Sequence, residues 1–241
     1  CSSDLAKVRS DAAKLDALYR DLLIGVTQFF QDPVAFEFLR ERVIPGIVDS
    51  VPPTEDIRVW VPACATGEEA YSLAILLMEE LARRERPANL KVFATDVHRD
   101  SLRVAADGIY PDASLHSMPL ELQERYFRSD GEGRCQVIPE LLHAVMFSPQ
   151  NILRDAPFNN VDLVSCRNLL IYFEPATQNR VLATFHFSLK RGGVLFLGPS
   201  EAIGEASRDF ATLNHRWKLF RKTGEHRLLP LPPVDASHVS A

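Results

Sequence analysis

The sequence lacks the patterns that mark metal sites, nucleic-acid binding and membrane insertion. Its four cysteines form no C-x-x-C pair and none lies near a histidine at metal-ligand spacing, so we assign no metal. The net charge is −5, without the basic excess that phosphate neutralisation requires, which argues against a nucleic-acid partner. There is no signal peptide, and no apolar run reaches the roughly 18 residues of a membrane span. We therefore expect a cytoplasmic protein with free thiols and no membrane insertion.

The first 50 residues are predicted to be helical. Leu5–Ile24 has helical periodicity, and Asp32 is the predicted N-cap of a helix that begins at Pro33 and runs to about Val48. The sequence does not begin with methionine, so we expect a fragment or an excised domain. Our predicted division is residues 1–50 as the remnant of a helical region, 51–225 as the main domain and 226–241 as a linker or tail.

Strands and helices alternate through the main domain. The 241 residues, 46% of them hydrophobic, suffice for one sizeable core. The alternation predicts a mostly parallel sheet with helices on both faces. The predicted strands are Ile57–Val61, Leu90–Thr95, Val161–Ser165 and Val194–Leu197. The predicted helices are Glu68–Arg84, Asp100–Ala106 and Pro175–Leu189, with a turn at Gly192-Gly193.

The stretch Gly108–Phe147 interrupts this alternation. It contains a short predicted helix, Leu120–Phe127, and a polar turn. The flanks of the turn, Tyr126–Arg128 and Cys135–Ile138, are predicted to pair, with Ala144–Phe147 beside them. We expect a small antiparallel subdomain inserted into the main fold.

The loop after the first strand, Val61–Glu69, is the best candidate for a ligand site, because open parallel sheets bind ligands at the carboxyl ends of their strands. Small residues keep the loop thin, but it is neither a G-x-G-x-x-G nor a Walker motif. Its two carboxylates, Glu68 and Glu69, suit a helix N-terminus and would repel a pyrophosphate. S-adenosylmethionine (SAM), which carries a sulfonium, an ammonium and one carboxylate, fits better than a dinucleotide. The alternative is an acidic helix N-terminus capped by Thr66.

Two further strand ends carry polar residues. Asp96 ends the second strand, where an acid typically accepts hydrogen bonds from ribose hydroxyls, although it could instead cap the next helix. Arg167 ends a buried strand, and a buried charge is costly unless it has a partner or a ligand. The alternative is that Arg167 is satisfied by a structural carboxylate such as Asp162 or Glu174.

Together these segments resemble the CheR family, the chemotaxis receptor glutamate methyltransferases. The resemblance spans about Leu22 to Lys222 and is closest to the methyltransferase domains of fused methylesterase–methyltransferase sensor proteins. It therefore implies possible fusion to methylesterase and sensor domains. The ordered set of segments that carries it is Thr27–Phe30, Trp60–Ser72, Ala94–Asp96, Gly108–Tyr110, Ser165–Phe173 and Leu195–Glu201.

The resemblance implies a class I SAM-dependent methyltransferase, Rossmann-like, with a small inserted antiparallel β-subdomain and a truncated N-terminal helical segment. It implies methyl transfer from S-adenosyl-L-methionine to glutamate side chains in the cytoplasmic domains of methyl-accepting chemotaxis receptors. The subdomain at about residues 108–147 would contact the receptor. Arg167 and Tyr172 would lie nearest the methyl and the acceptor, as the catalytic candidates. The implied cofactor-binding residues are Thr27, Gln31, Pro62, Ala63, Glu68, Asp96, Asn151, Ile152, Arg167 and Asn168.

One departure from the family bears on activity. The family usually has arginine where this chain has Gln31, and glutamine cannot give a bidentate charged grip. A catalytically weak or inactive SAM- or receptor-binding module of a larger sensor protein therefore stays open as an alternative. So does a methyltransferase acting on a small carboxylate. A nicotinamide oxidoreductase is disfavoured, because the phosphate-binding glycines are absent.

Overall fold

The computed structural model of the chain describes residues 27–224. The helix predicted over Leu5–Ile24 and the predicted tail lie outside these residues. The main element is a seven-stranded sheet with the strand order β6-β2-β1-β7-β8-β10-β9. Its strands are β1 (Ile57–Pro62), β2 (Leu90–Asp96), β6 (Val145–Pro149), β7 (Val161–Cys166), β8 (Leu189–Leu197), β9 (Phe210–Asn214) and β10 (Leu219–Lys222).

The sheet is mostly parallel, as the alternation of strands and helices predicted. The five strands β6, β2, β1, β7 and β8 run parallel. At the end of the sheet, β10 pairs antiparallel with β8, and β9 pairs antiparallel with β10. From β1, the chain first adds β2 and β6 on one side and then β7 and β8 on the other. The order therefore reverses between β1 and β7, and ligands in such sheets bind at this switch point.

Helices cover both faces of the sheet, and each face has its own apolar cluster. On one face Leu39, Ile44 and Leu73 pack in a single core with the sheet. On the other face Val181 and Phe185 pack in a second core. The helices are α1 (Pro33–Phe38), α2 (Ile44–Ser50), α3 (Glu68–Arg83), α4 (Arg99–Asp107), α5 (Leu120–Tyr126), α6 (Pro139–Ala144) and α7 (Pro175–Ser188).

Helices α1 and α2 are joined without a break by a π-helical turn, Leu39–Val43. Pro45 has no N–H to donate to the carbonyl four residues earlier, and the turn contains the extra residue that accommodates it. The N–H of Ile44 accordingly bonds to the carbonyl of Leu39, five residues back. The predicted helix from Pro33 to about Val48 is thus present, in three segments.

The predicted N-cap position of Asp32 and the helix start at Pro33 are confirmed, but the Asp32 side chain does not cap the helix. Asp32 occupies the N-cap position, in a left-handed conformation with φ of 62°, but its side chain makes no capping hydrogen bond. The backbone carbonyl of Asp32 accepts hydrogen bonds from the N–H groups of Ala35 and Phe36 in the first turn of the helix. The carboxylate is therefore free of the helix and has another partner, described below.

The inserted subdomain is a three-stranded antiparallel sheet with the order β3-β5-β4. The predicted pairing across the polar turn is confirmed by β4 (Phe127–Ser129) and β5 (Arg134–Val137). The prediction for Ala144–Phe147 is wrong, because β6 pairs parallel with β2 at the edge of the main sheet. The third strand is instead β3 (Ile109–Pro111). A short apolar run indicates a strand but gives no information about its partner.

The turn predicted at Gly192-Gly193 is also wrong, since both glycines lie within β8. The pairing of β7 with β8 shifts register between Val161 and Leu163, opposite these glycines. A Cβ on Gly193 would lie 2.9 Å from the carbonyl oxygen of Lys190 and 3.2 Å from that of Val161. Gly193 thus permits a close backbone approach inside the sheet, and Gly192 supplies a left-handed conformation with φ of 81°.

Candidate functional site

The loop between β1 and α3 is folded tightly by three small residues in left-handed conformations. Ala63, Ala65 and Gly67 have φ values of 53°, 47° and 94°. The loop is tied back on itself by a 2.9 Å bond from the N–H of Gly67 to the carbonyl of Cys64. The loop therefore makes a tight turn at the carboxyl end of β1, with Ala63 exposed and Cys64 and Gly67 buried.

Asp96, at the end of β2, holds this loop in place. One carboxylate oxygen accepts the N–H of Ala65 at 2.9 Å, and the other accepts the N–H of His98 at 2.9 Å, just before α4. The side chain is nearly buried, with 6% of the residue exposed. A carboxylate has about four acceptor positions, so these two bonds leave capacity for a ligand.

Glu68 begins α3 and is nearly buried, with 7% of the residue exposed. The hydroxyl of Thr66 donates to its carboxylate at 2.7 Å. Burial raises the pKa of Glu68, opposed by this hydrogen bond. The alternative of Thr66 as helix cap is wrong, because Gly67 occupies the N-cap position and no side chain caps the helix.

The inserted subdomain reaches the same loop through Tyr110. The Tyr110 hydroxyl donates a 2.6 Å hydrogen bond to the carbonyl of Thr66, and the ring packs edge-on against Phe29. Because Tyr110 belongs to β3, the small sheet is directly connected to the loop. Tyr110 lies in one of the segments that resemble the CheR family, but its sequence position did not indicate this contact.

Arg167 follows β7, and only 2% of its side chain is exposed. Its guanidinium donates to the carbonyl of Gln31 at 3.0 Å and forms an ion pair with the carboxylate of Asp32. A second carboxylate, Glu69, lies 3.6 Å away, and the ring of Phe196 lies 4.8 Å from the guanidinium carbon.

Arg167 is thus paired with structural carboxylates, as the alternative predicted. The carboxylates are those of Asp32 and Glu69 rather than Asp162 or Glu174. Asp162 instead accepts the N–H of Arg58 and pairs with Lys190 at 2.9 Å. It lies at the opposite end of β7, which explains why it cannot reach Arg167. Glu174 is exposed at the start of α7.

Glu69 and Ser165 form a contact that the sequence did not predict. The Ser165 hydroxyl donates to the Glu69 carboxylate at 2.6 Å, which joins α3 to β7 across the switch point. Burial raises the pKa of Glu69, and the nearby charge of Arg167 opposes this. The two adjacent glutamates therefore point to different groups, Glu68 to Thr66 and Glu69 to Ser165 and Arg167.

The segment that carries Gln31 and Asp32 is anchored by the Phe29-Phe30 pair. Phe29 is fully buried between Tyr110 and Phe127. The N–H of Phe30 donates to the Ser72 hydroxyl of α3 at 2.9 Å. These contacts bring Thr27 through Asp32 to the carboxyl edge of the sheet.

The remaining predicted site residues lie on loops at the same edge. Asn168 directly follows Arg167, is exposed and has φ of 62°. Asn151 and Ile152 follow β6 and are half-buried, and the side chain of Asn151 accepts the N–H of Leu153. Tyr172 is 53% exposed in a short 3-10 turn, and its side chain is not brought against Arg167 by any contact described in residues 27–224.

A family model for the CheR methyltransferase SAM-binding domain matches residues 25–219. The chain belongs to the CheR methyltransferase family. It is 40% identical over 220 residues to an uncharacterized 104.1 kDa protein of the hypE 3′ region of Rhodobacter capsulatus, covering 91% of this chain and 23% of that protein. It is 32% identical to chemotaxis protein methyltransferase 2 of Vibrio cholerae, covering 90% of this chain and 74% of that protein. It is 37% identical to a chemotaxis protein methyltransferase of Klebsiella aerogenes, covering 86% and 70%.

The cofactor of this family domain is SAM, and the edge of the sheet fits it chemically. The nearly buried carboxylates of Glu68 and Asp96 suit a ligand with cationic groups and hydroxyls. Among the described residues the buried Nε of Arg167 has no hydrogen-bond partner, so a donor remains at the same edge. In the part of the chain between residues 27 and 224, no helix is long and apolar enough to cross a membrane.

Proposed function

We propose that this chain transfers the methyl group of SAM to the side-chain carboxylates of glutamates in the cytoplasmic domains of chemotaxis receptors, forming methyl esters. Two of its relatives are named chemotaxis protein methyltransferases, which supports the reaction class. The observation that carries the proposal is the buried guanidinium of Arg167, which stands at the carboxyl edge beside the acidic loop of Glu68. A guanidinium there is suited to a carboxylate acceptor.

The cofactor would be held by groups from the three central strands. Glu68 would face its ammonium, and Asp96 its ribose hydroxyls. When bound, SAM supplies an electrophilic methyl group on a positively charged sulfur. The other residues proposed to line the cofactor are Thr27, Gln31, Pro62, Ala63, Asn151, Ile152, Arg167 and Asn168.

The acceptor needs no general base in this proposal. A glutamate side chain has a pKa of about 4.3 and is already ionised near neutral pH. The residues of the chain therefore have to align the acceptor and exclude water, and alignment supplies most of the rate. Arg167 steers the carboxylate, and the exposed Tyr172 hydroxyl closes onto it with a hydrogen bond. A loose contact between Arg167 and the acceptor carboxylate is expected, because a tight ion pair would lower the nucleophilicity of the carboxylate.

The test compares Arg167→Ala with Arg103→Ala, which removes an exposed arginine paired with Asp100 on α4. SAM affinity is measured by calorimetry, and tritiated methyl transfer to receptor cytoplasmic fragments is measured as base-labile counts. We expect Arg167→Ala to lose about 100-fold in transfer, a typical cost of misaligned reactants, and Arg103→Ala to behave as wild type. Transfer that persists in Arg167→Ala with unchanged SAM affinity contradicts the role of Arg167.

A second candidate is a SAM- or receptor-binding module without catalysis. Two observations favour it: Gln31 replaces an arginine usual in the family, and Arg167 is already paired with Asp32. The same experiment separates the two candidates. A protein that binds SAM in the calorimeter but places no base-labile label on receptor fragments is a binding module.

A further inference from the structure

The ion pair between Asp32 and Arg167 joins two residues of very different accessibility. Arg167 has 2% of its side chain exposed, whereas Asp32 has 38% exposed. Asp32 therefore covers the solvent side of the guanidinium. The other neighbours of the guanidinium are the Gln31 carbonyl, the Glu69 carboxylate and the rings of Phe36 and Phe196.

An incoming acceptor carboxylate meets an arginine that already faces two carboxylates. Arg167 contributes one positive charge, with the Asp32 carboxylate in direct contact and the Glu69 carboxylate 3.6 Å away. A third carboxylate added to this group would carry further negative charge into a poorly solvated site, which is unfavourable. Asp32 is the more exposed of the two carboxylates, at 38% against 14% for Glu69, so an acceptor pairs with Arg167 in exchange for Asp32.

We propose that Asp32 is an internal stand-in for the acceptor carboxylate, which occupies Arg167 in the resting protein and sets how strongly an acceptor must bind to displace it. The inference rests on the proposed function, because it takes Arg167 to be the acceptor's partner. It makes Asp32 a residue that determines acceptor affinity.

The local structure allows this exchange without unfolding the segment. Phe29 and Phe30 are buried and fix the backbone just before Asp32, while α1 begins directly after it. The Asp32 side chain makes no capping bond, so releasing it from Arg167 leaves the helix start intact. The movement required is a rotation of one partly exposed side chain.

The expected consequence follows from simple competition. If Arg167 is free of Asp32 only part of the time, the apparent acceptor affinity is reduced by that fraction. Partly exposed ion pairs are individually weak, so removing Asp32 should tighten acceptor binding by about three- to tenfold. Cofactor affinity should change less, since Glu68 and Asp96 keep their contacts.

The test uses Asp32→Asn, because asparagine tolerates the left-handed conformation and keeps the size of the side chain. The matched control is Asp49→Asn. Asp49 lies on α2 and forms an ion pair with Arg84, so this change removes the same charge from another Asp–Arg pair. Binding of a glutamate-containing receptor fragment is measured by calorimetry in the presence of S-adenosylhomocysteine, so that no turnover is needed. Thermal unfolding of each variant checks the fold.

We expect Asp32→Asn to bind the fragment about three- to tenfold more tightly than wild type and Asp49→Asn to match wild type. Equal or weaker binding by Asp32→Asn overturns the inference, as does undetectable binding by both proteins. If the fragment binds Asp32→Asn more tightly than wild type by the expected factor but is never methylated, the proposed catalysis is contradicted and the proposed role of Asp32 is retained. The two failures are therefore distinguishable.

Discussion

The carboxylate of Glu201 accepts a 2.7 Å hydrogen bond from the backbone N–H of Leu170. Its other oxygen accepts the N–H of Gly198 at 2.6 Å. One nearly buried side chain thus ties the loop after β7 to the loop after β8. The loops are in close contact, because a Cβ on Gly198 would lie 2.5 Å from the side-chain oxygen of Asn168. Glu201 therefore fixes the turn that carries Arg167 and Asn168.

Replacing Glu201 with glutamine should loosen this turn. The amide can accept one of the two N–H groups, but its NH2 then faces the other donor, and a buried unsatisfied donor costs about 1–3 kcal/mol. We expect a loss of about that size in the free energy of unfolding by urea, together with weaker SAM binding in calorimetry. Glu140→Gln, at an exposed position on α6, should change neither quantity. Unchanged SAM affinity in Glu201→Gln would show that the turn does not depend on this carboxylate.

Much of the fold could be predicted because the pattern is local. Buried apolar strands followed by amphipathic helices placed β1, α3 and β2 within one or two residues of their observed ends. The loop after β1 and the positions of Asp96 and Arg167 followed from the rule that ligands bind at the carboxyl edge. The domain boundaries at residues 50 and 225 remain predictions.

The errors concern partners that are distant in sequence. Asp32 has the residue type and position of a helix cap, yet a buried guanidinium 135 residues away takes its carboxylate. The charge of Arg167 required a partner, but the sequence could not select among several carboxylates. The contacts of Glu201 could not be predicted for the same reason. Its donors are backbone N–H groups of two loops that only the folded sheet brings together.

SAM affinity should depend on pH through Glu68. Burial raises the pKa of this carboxyl above its ordinary value of 4.5, so the proton is retained to higher pH than in an exposed glutamate. A cationic group binds the ionised form, so affinity should be full above the raised pKa and fall as the pH drops through it. Calorimetry with SAM between about pH 5 and about pH 8 measures the slope.

Glu68→Gln should bind SAM more weakly and remove most of this slope. Glu69 also has a raised pKa, so Glu69→Gln is the matched comparison and should keep the slope if Glu68 is responsible. The stability of the unliganded protein should depend on pH in the opposite direction to SAM affinity. Between 4.5 and the raised pKa the native state binds more protons than the unfolded state, so unfolding free energy falls as pH rises.

Gly67→Ala should be strongly destabilising. A side chain at φ of 94° is strained, and its Cβ would lie 2.9 Å from the Cβ of Ala105 and 3.1 Å from the ring of Phe147. We expect a loss of about 2–4 kcal/mol in the free energy of unfolding, from left-handed strain plus overpacking.

Gly131→Ala is the control for the strain, because Gly131 has φ of 78° with nothing within 4 Å of an added Cβ. Its cost should be limited to about 1–2 kcal/mol. Equal losses in the two variants would mean that the contact of the loop with α4 and β6 contributes nothing. Chemical denaturation of both proteins under the same conditions gives the comparison.

Gln31→Arg should strengthen cofactor binding or turnover. The change adds a guanidinium at an edge where the carboxylates of Asp32, Glu68 and Glu69 outnumber Arg167. Only the backbone carbonyl of Gln31 is used by Arg167, so the existing hydrogen bond is kept. We expect a gain of about two- to tenfold in SAM affinity or in methyl transfer, the scale of one partly exposed charge contact.

Gln31→Lys separates the effect of charge from that of guanidinium geometry. Lysine adds the same charge as a point, without the planar fork that binds a carboxylate through two hydrogen bonds. If the fork matters, arginine should gain clearly more than lysine in radiolabel transfer to receptor fragments. If both variants gain equally, the long-range charge is sufficient. If calorimetry and transfer are unchanged in both, the departure at residue 31 has no consequence for this protein, and the occupation of Arg167 by Asp32 is left as the feature that limits acceptor binding.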